Sequence, residues 1–106
     1  MVSEYIANPL LLNGYKFDLR IYVCLTSINP LRIYIFEEGL ARFATTKYDN
    51  DKDGPNSKYM HLTNYSINKK NVGANGPGDK NKFEINDGEG YKWSITALKK
   101  VMKQYN

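Results

Sequence analysis

Lys16-Phe17-Asp18-Leu19-Arg20-Ile21-Tyr22-Val23-Cys24-Leu25 alternates strictly, with Phe17, Leu19, Ile21, Val23 and Leu25 on one strand face and Lys16, Asp18 and Arg20 on the other. The apolar face calls for a core. The opposite face changes from charged residues to Tyr22 and Cys24, so the charges gather at one end of an otherwise apolar strand. Such a strand suits the floor of a ligand site, and a half-exposed strand of an antiparallel sheet gives the same alternation. Periodicity alone leaves both open.

On the N-terminal side, Asn13-Gly14 is a turn signal that leads into this strand, and Ile28-Asn29-Pro30 ends it. The apolar run from Leu31 to Phe36 is then expected to pair back as an antiparallel hairpin, with Leu31, Ile33 and Ile35 on one face and Arg32, Tyr34 and Phe36 on the other. Gly39 permits a further turn into Leu40-Ala41-Arg42-Phe43-Ala44-Thr45, where Arg42 and Phe43 point to opposite faces if the segment is a strand. Residues 2–7 read as a short strand stopped at Asn8-Pro9, because the residue before proline is pushed out of helical geometry. Tyr59 to Asn68 reads as a strand so polar that it needs partners. At the C-terminus, Ser94 can cap a helix running to about Gln104, with Ile95, Leu98, Val101, Met102 and Tyr105 as its apolar stripe and Lys99, Lys100 and Lys103 on a solvated face. The expected class is α+β, a mostly antiparallel sheet with a C-terminal helix.

With 106 residues, 42% hydrophobic and 25% charged, the chain has the composition of one ordered domain with a modest core. No apolar run approaches the roughly 20 residues that span a bilayer, and there is no signal-peptide pattern, so an intracellular protein is expected. Cys24 is the only cysteine, which excludes a disulfide framework and suggests an inert core thiol. The net charge of +4 favours acidic partners, whether nucleic acid, phosphates or an acidic polypeptide.

Two stretches carry motif fragments. Asp49-Asn50-Asp51-Lys52-Asp53-Gly54 matches the opening half of a calcium loop, but Pro55 follows the glycine, Met60 stands where a bidentate glutamate is needed, and strands are expected to flank it. Asn64-Tyr65-Ser66 fits a glycosylation sequon by chance, given no secretory signal. A mobile loop is expected at about residues 70–90, and its glycines do not follow a strand with phosphate-loop spacing.

Three separated segments offer polar groups that can converge: Lys16, Asp18 and Arg20; Arg42; and Thr63, Asn64, Tyr65 and Ser66. Cations beside amides and hydroxyls suit phosphate or carboxylate recognition, where a planar guanidinium grips two oxygens. His61, the sole histidine, serves either as a surface residue or as a donor to a ligand. No Ser/His/Asp order or paired-carboxylate spacing supports hydrolysis.

Pro9-Leu10-Leu11, Gly14 to Val23, Asn29-Pro30-Leu31-Arg32-Ile33-Tyr34, Glu38 to Thr45 and Met60-His61-Leu62-Thr63-Asn64-Tyr65-Ser66-Ile67-Asn68-Lys69-Lys70 together resemble the tubulin tyrosine ligase-like family, especially its polyglutamylases. The segments occur in the family's order and cover most of the chain. The resemblance implies part of an ATP-grasp domain over 1–106 that activates a carboxylate as an acyl phosphate for attack by the amine of an incoming amino acid. ATP and magnesium are the implied cofactors, glutamate the implied amino acid and acidic tubulin tails the implied partner, with neither nucleic acid nor membrane. Cytoplasm and the microtubule cytoskeleton, including cilium or basal body, are the implied location.

By the same resemblance, Glu4, Tyr5 and Ile6 look like the hinge whose backbone meets adenine, Lys16 and Asp18 like nucleotide contacts, and Thr63 and Asn64 like further ATP contacts. Arg20 and His61 fall near the phosphates, Arg20 and Arg42 in catalytic positions. Arg42, Tyr65 and Lys92, with Ser66 as a further candidate, resemble the positions that hold glutamate. The strand and helix context of Tyr65 and Lys92 also suits ordinary structural roles. The family's upstream lysines and glycine-rich loop, and its downstream magnesium carboxylates, have no counterpart here, so the isolated chain is expected to be inactive. A glycine ligase, a ligase of another acceptor or a non-catalytic tail-binding module are the alternatives.

Overall fold

The computed structural model describes residues 1–49, 57–69 and 90–104. Four strands form one antiparallel sheet in the order β1-β2-β3-β4, where β1 is Leu11–Leu12, β2 Tyr15–Ile28, β3 Leu31–Phe43 and β4 Lys92–Ser94. Helix α1 is Ser57–His61, residues 65–69 form α2, and α3 is Ile95–Gln104. The expected α+β class and the hairpin from Lys16 to Phe36 are both present.

Asn13 and Gly14 adopt φ of 51° and 82°, the left-handed pair that matches the twist of a two-residue hairpin turn, and they join Leu12 to Tyr15. Gly39 does not turn the chain. It lies inside β3 opposite Ile21, beside a register shift, and a Cβ there would stand 2.3 Å from the backbone carbonyl oxygen of Arg20. The glycine answers a close approach of two strands, so the separate strand expected from Leu40 is the second half of β3. Gly39→Ala is expected to destabilise by about 1–3 kcal/mol through forced separation of β2 and β3. Chemical denaturation reads this directly.

The core lies on one face of the sheet, where Ala41, Phe43 and Trp93 meet Ala97 and Leu98 of α3, with Leu12 alongside and Phe17 packed against them. The Phe43 and Trp93 rings are 4.7 Å apart and those of Phe17 and Phe43 5.4 Å. Only the first part of the alternating strand therefore reaches the core. Leu19, Ile21, Val23 and Leu25 are about half exposed, and Cys24 is exposed and not a core thiol, because the buried cluster gathers at the Phe17–Phe43 end of the β2–β3 pair.

Helix α3 follows the expected pattern, with Ile95 and Leu98 buried, although Met102 is exposed and Tyr105 lies outside the described residues. Ser94 Oγ accepts a hydrogen bond from Ala97 N at 3.1 Å, a regular N-cap. Glu38 adds a cap from β3: its Oε1 accepts from Thr96 N at 3.2 Å and Gly39 N at 3.0 Å, and its Oε2 accepts from Thr96 Oγ1 at 2.6 Å. These contacts, the Thr96 hydroxyl first, hold the Glu38 carboxyl below the ordinary carboxylate value. A lowered folded-state pKa means stabilisation that is fully present above the unfolded value and lost as pH falls through the folded one. Melting curves should therefore show Glu38→Gln less stable than the parent near pH 7, with the gap closing below about pH 4.

Two expected strands are absent. Residues 2–6 have no regular structure, and 57–69 form helix, extended linker and helix where a polar strand was expected. In the second case the polar side chains satisfy nearby backbone, which competes with a sheet ladder. Asn68, 1% exposed, donates from Nδ2 to Leu62 O at 2.7 Å and Asn64 O at 3.1 Å, while its Oδ1 accepts from Thr45 Oγ1 at 2.7 Å. One side chain thus pins the α1–α2 segment to the end of β3. The expected loop at about 70–90, apart from Gly90, and most of the calcium-like sequence lie outside the described residues. Helix α1, not a strand, follows that sequence, and Met60 is buried with its sulfur accepting from Asp49 N at 2.9 Å.

Candidate functional site

The register places Asp18 opposite Arg42 and Arg42 opposite Lys92, a row running across β2, β3 and β4. Directly paired residues share a face. Because Ala41, Phe43 and Trp93 take the core face, this row stands on the face away from α3, with Lys16 and Arg20 one alternation to either side of Asp18. Cations outnumber carboxylates along it.

Asp18 and Arg42 form a two-point pair. Arg42 Nε donates to Oδ1 at 2.9 Å and Nη2 donates to Oδ2, while Arg20 Nε stands 3.8 Å from Oδ2. The Arg42 side chain is 17% exposed and that of Asp18 35%, so the guanidinium is sheltered and the carboxylate more open. The hydrogen bonds that Arg42 donates to Asp18 raise the Arg42 pKa above its ordinary value, so the cation persists at any working pH.

At one end of the row, Lys92 Nζ lies 4.9 Å from the centre of the Tyr65 ring, and Lys69 Nζ lies 5.8 Å from the same ring. Tyr65 opens α2, so Asn68, by anchoring that segment, also sets where this ring meets the row. At the other end, Lys16 Nζ lies 5.0 Å from the Tyr5 ring centre and 5.9 Å from that of Tyr48. Tyr5 Oη is 2.8 Å from His61 Nδ1 and 3.1 Å from Tyr48 Oη, and Tyr48 Oη donates to Ala7 O at 2.9 Å. The expected hinge at Glu4-Tyr5-Ile6 is thus tied down by the Tyr5 side chain, with no ladder; Glu4 and Ile6 are exposed.

The structure brings together Lys16, Asp18, Arg20, Arg42 and Lys92, and links Tyr5, His61 and Tyr65 to that group. Thr63 and Asn64 lie in the linker between α1 and α2, and Ser66 is exposed in α2. Among the described residues, no ion pair or ring contact joins Glu4, Ile6, Thr63, Asn64 or Ser66 to the row. Tyr48, Asn68 and Glu38 were missed as organising residues. Their partners are 41, 23 and 58 positions away along the chain, and no local pattern signals such contacts.

A separate cavity lined by Leu12, Asn13, Tyr15, Phe43, Gly90, Tyr91 and Trp93 includes core-face residues and no cation, so it lacks what an anionic ligand requires. No helix among the described residues is long and apolar enough to cross a membrane.

Residues 1–106 match the tubulin-tyrosine ligase family along their whole length. The chain belongs to that family. Mouse tubulin polyglutamylase TTLL5 is 49% identical over 98% of the chain, and mouse tubulin monoglutamylase TTLL4 is 45% identical over 98%. Human probable tubulin polyglutamylase TTLL2 is 43% identical over all of it. The chain spans 8% of the length of TTLL5 and TTLL4 and 17% of TTLL2.

Proposed function

We propose that this chain is the central part of an ATP-dependent glutamate ligase domain that modifies the acidic tails of tubulin in the microtubule cytoskeleton, cilium and basal body included. The carrying observation is the cross-sheet row of Asp18, Arg42 and Lys92, flanked by Lys16 and Arg20, on the face not used by the core. The names of the relatives support glutamate as the amino acid and tubulin as the acceptor.

The donor set fits a nucleotide polyanion and an amino acid with two carboxylates. Lys16 and Arg20, with His61, would hold phosphate oxygens, and Asp18 would meet the sugar hydroxyls, its charge offset by Arg42 and Arg20. Tyr5, with Glu4 and Ile6, would border the base through backbone groups, and Thr63 and Asn64 would add polar contacts. Arg42 and Lys92 would hold the carboxylates of glutamate, with Tyr65 ordering the Lys92 ammonium and Ser66 nearby. ATP supplies the phosphoryl group that makes an unreactive carboxylate an acylating one. The chain's own residues orient the amine and neutralise the charge that gathers as the groups approach. Among the described residues no three His, Cys, Asp or Glu side chains cluster to hold a metal ion.

The test is incorporation of labelled glutamate into tubulin by the full-length protein, with ATP and magnesium. Glutamate transfer that depends on ATP is the expected result. Transfer of glycine in its place would overturn the amino-acid assignment, and tail binding with no transfer by the full-length protein would overturn the enzyme.

A further inference from the structure

We propose that Asp18 is a positioning residue for the amino-acid site: its carboxylate fixes the plane of the Arg42 guanidinium, so the aim of the incoming amino acid is set through Asp18. The inference rests on the reading above that Arg42 meets the amino-acid carboxylate. It departs from a division in which Asp18 serves only the nucleotide and Arg42 only the amino acid.

A guanidinium carries five N–H donors in one plane, and rotation about its long stem lets that plane swing. Asp18 takes Nε–H and one Nη2–H, both from the same edge, which removes that freedom. The donors of the opposite edge are thereby aimed in one direction. Because Asp18 and Arg42 are direct cross-strand partners, the sheet itself sets the pair, and Lys92 follows in the same register on the next strand. A carboxylate beside an anion site would ordinarily repel the ligand. Here Arg20 at 3.8 Å and Arg42 hold it from two sides, so the row keeps its positive balance.

A residue that only contacts nucleotide loses its influence on the amino acid once ATP saturates. A positioning residue does not. The experiment uses the full-length ligase at saturating ATP and measures the amino-acid KM, the nucleotide affinity and the unfolding temperature for Asp18→Asn, Arg42→Lys and the double variant. Asp18→Asn should raise the amino-acid KM roughly tenfold or more. The double variant should be about as defective as the worse single one, since both remove one interaction. Asp18→Glu keeps the charge but shifts the guanidinium plane, and it should raise the same KM without losing the fold. An unchanged amino-acid KM in either folded Asp18 variant, or single effects that multiply, overturns the inference while the ligase reading stands. A parent that transfers no amino acid overturns both.

Discussion

Trp93→Ala should destabilise the fold by about 3–5 kcal/mol, the range for truncating a large buried aromatic side chain. Trp93 is 7% exposed, packs 4.7 Å from Phe43 and donates from Nε1 to Gly90 O at 3.2 Å, so its loss opens a cavity and strands a carbonyl acceptor. The effect reaches the site as well. Trp93 and Lys92 are neighbours on β4, and the pairing of Ala41 with Trp93 holds Arg42 opposite Lys92. Urea unfolding of the 106-residue chain followed by circular dichroism measures the loss, since the variant lacks the one tryptophan of this sequence and its fluorescence. A destabilisation under about 1 kcal/mol would mean that this face is not the core.

The second large effect is functional. Arg42→Ala in the full-length ligase should lower glutamate incorporation by about one to two decades, because a charge-assisted contact to a carboxylate contributes on the order of 1.5–3 kcal/mol. Nucleotide affinity should change much less. Lys92→Ala should follow the same direction with a smaller loss, as its ammonium is a point charge without the forked geometry. Measuring incorporation across glutamate concentration, with ATP affinity determined separately, decides it. Loss of ATP binding with the glutamate dependence unchanged would reverse the roles.

Much of this was legible locally. The alternation from Lys16 to Leu25 shows which residues share a face, and the same rule puts Arg42 and Phe43 on opposite ones; the structure has Arg42 on Asp18 and Phe43 in the core. Asn13-Gly14 and Ser94 also act as their chemistry requires, at a hairpin turn and a helix cap. The illegible parts depend on distant partners. Gly39 has the same residue type whether it turns a chain or lets two strands approach, and only the Arg20 carbonyl opposite it distinguishes the two. The polar run around His61 to Asn68 was misread for a related reason, since its hydrogen bonds run to its own backbone and to Thr45. Residues 2–6 have strand-like composition but no described ladder, and Tyr5 anchors them through side-chain contacts that no periodicity reveals. The row itself needed the register of three strands, of which one, β4, is only Lys92–Ser94.

The most direct test of the ligand face is lysine footprinting by mass spectrometry on the full-length protein, with and without ATP and glutamate. Lys16 and Lys92 stand at the cationic row, whereas Lys99, Lys100 and Lys103 lie on the exposed side of α3. Protection of Lys16 by ATP and of Lys92 by glutamate, with the three α3 lysines unchanged, is the predicted result. Protection of the α3 lysines with Lys16 and Lys92 equally reactive throughout would contradict it.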